Sequence, residues 1–274
     1  MPHEIISTIQ PLRVSPCAGV KRPRVAVFCP ARFAVDRPFL IVLFFHGFES
    51  LCADGHRRPF EESLRRHALA RQLDAADRNA IIVAPRIALS PREHRRGPPL
   101  ATRRSIDTLL REAAAITRQL LAAPAYFQRS FMRAPLLLAG FSGGHHAISA
   151  LAGHADLMAR TTAIAFFDAL YDDDRYAHDP ASVLAHTALV CVNRRRYDRD
   201  NGPKEAAYRR RLSAAGVRPR RLAAVGSIAR GTAIIERIAE TDHCTMLAAS
   251  DGLACVLAKT PESFRLLKPR AAPG

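Results

Sequence analysis

Short apolar runs recur along the chain at residues 24–29 (RVAVFC), 39–45 (FLIVLFF), 80–84, 136–139 (LLLA), 161–167, 187–192 and 232–238. The run at 39–45 has no polar position at all, which predicts a central strand covered by helices on both faces. Between the runs the apolar spacing changes to three and four. Residues 59–76 place Leu64, Ala68 and Leu73 on one face and Arg and Glu on the other. Residues 105–122 repeat the pattern through Ile106, Leu109, Leu110, Ala113, Ile116 and Leu120. Both predict amphipathic helices. Further helices are predicted at 144–151, at 203–215 (opened by Pro203) and at 245–257.

Strand-helix alternation of this kind predicts right-handed crossovers and a mostly parallel sheet. Segments 86–102, 171–180 and 193–202 break the rhythm. Each follows a strand and is expected at the carboxyl edge of the sheet, where open α/β folds bind ligands. There is no internal repeat and no linker that would divide the chain, and residues 269–274 are expected to fray. Residues 1–11 alternate apolar and polar positions without the charged-then-apolar order of a signal peptide. No stretch reaches the ~18 apolar residues of a membrane span. A cytoplasmic location is the expectation.

The net charge of +16 raises the question of a nucleic-acid partner. Its distribution argues against one. The only lysines are Lys21, Lys204, Lys259 and Lys268, and arginines are spread over nearly every segment. No zinc-finger spacing, helix-turn-helix pattern or aromatic-basic motif accompanies them. Genome base composition alone produces such a bias; a preference for anionic partners or substrates is the other reading. The cysteines Cys17, Cys29, Cys52, Cys191, Cys244 and Cys255 form no CxxC pair. Free, mostly buried thiols are expected, with no disulfide framework.

The chemistry concentrates at Gly140-Phe141-Ser142-Gly143-Gly144. The five-residue pattern is weak alone, but here an apolar strand leads in and a small-residue helix leads out. A serine on a sharp strand-to-helix turn presents its hydroxyl above the sheet. Strand and helix then crowd the positions two before and two after it, so Gly140 and Gly144 are expected there. Gly143 is a candidate backbone donor to an oxyanion. A second marker, His46-Gly47-Phe48, follows the strand at 39–45.

A serine hydroxyl needs a base within hydrogen-bond reach. His145, His146, His154, His178, His186 and His243 all follow the elbow, but only His243, in TDHC, falls between the last strand and the last helix. His145 and His146 are expected to pack in the helix behind the nucleophile. For the orienting acid there are two candidates. Asp168 ends the strand FFD, where a carboxylate is costly unless paired; Asp198 lies in an Arg-rich loop where solvation explains it. Asp168 is preferred and Asp198 is the alternative.

The segments FFHGF, AGFSGGHHA and FFDALYD, with the late DH, resemble the α/β-hydrolase superfamily, and in particular uncharacterised bacterial hydrolases with a Gly-x-Ser-Gly-Gly elbow. The resemblance covers residues 25–257. It implies an α/β-hydrolase fold with a mostly parallel sheet of about eight strands flanked by helices on both faces. It also implies one domain over 1–274, with small lid or loop insertions at 86–102 and 171–180. The activity implied is acyl transfer to water from an ester, thioester or amide through an acyl-enzyme on Ser142, His243 and Asp168. Phe48 and Gly143 would form the oxyanion hole, and neither metal nor organic cofactor is implied. Arg86, Arg92, Arg95, Arg96, Arg103 and Arg104 suggest an anionic small-molecule acyl substrate.

A carboxylic-ester hydrolase is the primary expectation. A peptidase or acyltransferase could use the same triad, and a silent hydrolase scaffold acting as a binding protein is a third reading. A basic nucleic-acid-binding protein is a fourth, resting on charge alone.

Overall fold

The apolar runs become the strands of one sheet in a computed structural model that describes residues 5–13, 23–47, 60–87, 100, 102–169, 180–194, 201–238 and 246–261. The strands are β1 (Ile5–Pro11), β2 (Arg24–Pro30), β3 (Leu40–Phe45), β4 (Ala80–Pro85), β5 (Leu136–Phe141), β6 (Thr161–Phe167), β7 (Ala188–Arg194) and β8 (Ala233–Ile238). Their spatial order is β1-β2-β4-β3-β5-β6-β7-β8. From β4 to β8 all neighbours are parallel. β2 runs antiparallel to both β1 and β4. β1 takes up the alternating N-terminal segment, which half-buries an edge strand.

The helices are α1 (Phe60–Arg66), α2 (Leu69–Ala76), α3 (Arg103–Leu120), α4 (Phe127–Arg133), α5 (His145–Ala152), α6 (Ala155–Ala159), α7 (Pro180–His186), α8 (Asn201–Ala214), α9 (Met246–Ser250) and α10 (Gly252–Lys259). They cover both faces of the sheet. Ile41, Leu43 and Phe45 of β3 pack with Ile106, Phe127, Ile148 and their neighbours from α3, α4 and α5. Leu40, Val42 and Phe44 face the other way, toward Leu64, Leu73 and Leu253 of α1, α2 and α10. Every residue of β3 is therefore buried, at roughly 1.5–3 kcal/mol for each large side chain. This is why the run carries no polar position.

Two predicted helices are each broken in two. The stretch at 59–76 is interrupted at Ala68 (φ 50°) and the one at 245–257 at Asp251 (φ 47°). A left-handed residue redirects the chain while leaving the apolar spacing on either side intact, so periodicity does not report it. The helix expected at 105–122 starts at Arg103, where the Thr102 hydroxyl accepts from the Ser105 N–H. The short helices α4, α6 and α7, of five to seven residues, have too few turns to show a period.

Polar anchors tie the last elements to the sheet. The buried Gln72 of α2 accepts from the N–H groups of Leu253 and Ala254 at 2.8 and 3.3 Å, satisfying the free amide end of α10. Glu205 of α8 is fully buried and binds Arg209 at 2.8 Å, Arg237 of β8 at 2.9 Å and the Asn193 amide of β7 at 3.1 Å. Cys29 and Cys191 are free and buried, and burial pushes the Cys29 thiol up to about 12. Cys255 is free and exposed, and Cys17, Cys52 and Cys244 lie outside the described residues. No helix among the described residues is long and apolar enough to cross a membrane.

Candidate active site

β5 is buried throughout and ends at Phe141. The next residue, Ser142, has φ 48°. Left-handed backbone costs a non-glycine residue roughly 1–2 kcal/mol, and here it reverses the chain at the sheet edge. Ser142 to Gly144 form a single 3-10 turn that runs directly into α5. The serine is 8% exposed, at the rim of the sheet.

The glycines follow from close approach. A Cβ on Gly144 would stand 2.1 Å from the Phe45 carbonyl oxygen, and one on Gly140 would stand 2.7 Å from Ile148 Cδ1. No side chain fits at Gly144, and one at Gly140 would force Ile148 to move. A Cβ on Gly47 would stand 2.9 Å from Ser142 Cβ. The end of β3 and the His-Gly loop therefore lie directly against the elbow. Two motifs that are 95 positions apart in the chain meet at one point, because β3 and β5 are parallel neighbours with Phe45 opposite Gly140.

His46 holds this junction. It is 1% exposed. Its Nδ1 lies 2.6 Å from the Gly47 carbonyl oxygen, and its Nε2 accepts from the Ile87 N–H at 3.3 Å. An acceptor at Nε2 and a donor at Nδ1 define the neutral tautomer. Burial pushes the imidazole down to about 4, opposed by the Gly47 hydrogen bond and aided by the nearby Arg86 charge. The ring thus bridges the ends of β3 and β4 as an uncharged strut. In sequence His46 stands out only as part of the His-Gly motif; its adjacency to Gly47 is visible there, but its partner at Ile87 is not.

Asp168 follows β6 as Ser142 follows β5. It is 1% exposed with φ 46°, and its N–H donates to the Val192 carbonyl at 2.8 Å. The pairing that a carboxylate demands in this position comes from Arg194, whose Nε donates to Oδ2 at 2.5 Å. Arg194 ends β7 and is 16% exposed. It belongs to a segment read from sequence as a solvated loop, whereas Asn193 and Arg194 are strand residues and partly or fully buried. Asp168 and Arg194 are 26 positions apart, and only the β6–β7 pairing brings them together.

His145 is buried, with Nδ1 2.9 Å from the Ser142 carbonyl oxygen and its ring centre 3.9 Å from that of His146, the two rings tilted by 38°. It packs behind the elbow. Arg103 pairs with Asp107 at 3.1 Å and Asp156 at 3.4 Å on the helical layer. Phe48, His243, Asp198, and Arg92, Arg95 and Arg96 lie outside the described residues, as do most of 86–102 and all of 171–179.

Sheet order, two helical layers and a serine elbow at the end of the central strand define the α/β-hydrolase fold. Solved structures agree. A ferulic acid esterase superposes with a TM-score of 0.54 over 93% of this chain and 99% of its own, at 12% identity. A thermostable esterase from Pseudomonas putida gives 0.51 over 93% and 82% at 18% identity. An S-formylglutathione hydrolase from Agrobacterium tumefaciens gives 0.51 over 92% and 95% at 11% identity. No protein-family description and no curated protein matches the sequence.

Proposed function

We propose that this protein is a serine hydrolase that cleaves a small acyl substrate, most simply a carboxylic ester, through an acyl-enzyme on Ser142. The observation that carries this reading is the left-handed Ser142 at the end of β5, with Gly47 of the His-Gly loop pressed against it. Strain at a non-glycine residue persists where the surroundings hold it in place, and it collects at working sites.

In this reading His243 takes the Ser142 proton as the hydroxyl attacks the carbonyl carbon. The N–H groups of Phe48 and Gly143 receive the developing oxyanion. His243 then returns the proton to the leaving alcohol, and water repeats the sequence on the acyl-enzyme. Asp168 orients the imidazolium, with Arg194 as the counter-charge that keeps a buried carboxylate in place. His46 has a positioning role, because pinning the Gly47 carbonyl sets the plane of the following peptide.

Hydrolysis of p-nitrophenyl esters of graded acyl length tests the reading. Ser142→Ala and His243→Ala should each lower kcat by at least about a thousandfold. Asp168→Asn should do so by a similar factor while Asp198→Asn changes little. An active Asp168→Asn beside an inactive Asp198→Asn would move the acid to position 198 and leave Asp168 with Arg194 as a structural pair. Full activity in Ser142→Ala would end the proposal.

A further inference from the structure

A second concave site lies at the opposite end of the sheet. The turn after β2 and the turn before β4 meet at the amino ends of β3 and β4, and between them they enclose a cavity of about 270 Å³. Three arginines, Arg32, Arg37 and Arg78, are among the residues that line it, together with Asp77 and Asn79. Counting Asp77, these side chains carry a formal charge of +2. Arg32 pairs with Asp77 and Arg78 donates to the Ala258 carbonyl. Arg37 is exposed and has no carboxylate partner among the described residues.

Contacts within the protein fix the walls. The Asn79 side chain clamps the facing turn, accepting from the Ala34 N–H and donating to the Ala34 and Pro38 carbonyls, each at 3.0 Å. Phe33, in the same turn, is fixed edge-on to Phe39 and Phe127, with ring centres 5.3 and 6.3 Å apart. The Leu40 N–H donates to the Asn79 carbonyl at 3.1 Å, joining the clamp to β3. Three arginines gathered about one hollow beside a clamped turn differ from arginines scattered on a convex surface. Planar, fixed-charge forks match the oxygens of a phosphate in pairs. The volume is just below that of sites for drug-sized molecules, which restricts the occupant to a small one.

We propose that this cavity binds a small phosphate-bearing anion, a phosphate or diphosphate group on a compact carrier, at a site separate from Ser142. Arg37, exposed and with no carboxylate partner among the described residues, offers its fork directly. Arg32 and Arg78 contribute by turning from Asp77 and from the Ala258 carbonyl.

Titration calorimetry with pyrophosphate, against sodium chloride at equal ionic strength, tests this with the whole chain. One saturable site is expected, weakened at least tenfold by Arg37→Ala and further by Arg32→Ala. Arg37→Lys, which keeps the charge but loses the fork, should fall between. Arg37→Ala should leave ester hydrolysis unchanged, and Ser142→Ala should leave pyrophosphate affinity unchanged, so the site stands or falls independently of the hydrolase reading. Heat that disappears at matched ionic strength would overturn it. So would affinity indifferent to Arg37 and Arg32, or binding of long oligonucleotides that pyrophosphate does not displace.

Discussion

Ser142 and Asp168 leave adjacent parallel strands at the same level, each in the left-handed conformation, with φ of 48° and 46°. The last paired residues before them are Phe141 and Phe167. A nucleophile candidate and a buried carboxylate therefore emerge side by side at one edge. The strain at Ser142 has a measurable consequence. In most places alanine is more stable than glycine, because glycine loses more backbone freedom on folding. At a left-handed position the order reverses. Ser142→Gly should be more stable than Ser142→Ala by about 1 kcal/mol in urea unfolding. A more stable alanine variant would show that the elbow is not held as described.

The packing of β3 against the elbow predicts a graded glycine series. At Gly144 a methyl group meets a backbone carbonyl, which cannot swing aside, and Gly144→Ala should lose about 2 kcal/mol or more. At Gly47 it meets Ser142 Cβ. Gly47→Ala should therefore reduce kcat at least tenfold for a smaller loss of stability. Equal effects of the two substitutions on stability and activity would count against this division.

Acid should expose His46. The unfolded chain takes up a proton near the ordinary value of 6.5, and the folded imidazole only near about 4. Stability that is fully present above pH 6.5 is then lost as the pH falls from about 6.5 to about 4, by an amount on the order of 3 kcal/mol. His46→Gln has nothing to titrate. Its stability should fall less than that of the native protein over the same window, in denaturant titrations at several pH values. Parallel curves would mean that His46 is not buried as a neutral strut.

The cluster around Glu205 predicts an asymmetry. Removing the buried carboxylate in Glu205→Ala leaves a cavity and deprives the buried Asn193 amide of its acceptor, and should cost roughly 3 kcal/mol. Arg209, 40% exposed as a side chain, leaves Glu205 still bound by Arg237 and Asn193, so Arg209→Ala should cost under about 1 kcal/mol. Chemical denaturation of both variants checks this. Similar losses would show that the charge is not shared in this way.

The central strand and the elbow were legible in sequence because each is a local pattern. FLIVLFF declares a strand covered on both faces, and LLLAGFSGG places a serine at the turn into a helix. The glycine spacing even anticipated the contacts of Gly140 and Gly144. What stayed hidden depends on pairs distant in the chain. Arg194 looked like surface because its partner is 26 positions away and is reached only through the β6–β7 register. Ala68 carries no turn signal, so the break between α1 and α2 was invisible to periodicity. The His46–Ile87 bridge needs the order of β3 and β4, which no local pattern supplies.

The central claim is that Ser142 is an activated nucleophile, and a fluorophosphonate probe tests it most directly. The native protein should gain one adduct, mapped by peptide mass spectrometry to Ser142, and Ser142→Ala should gain none at equal folded concentration. Folded native protein that takes up no probe, or takes it up equally after Ser142→Ala, would contradict the account.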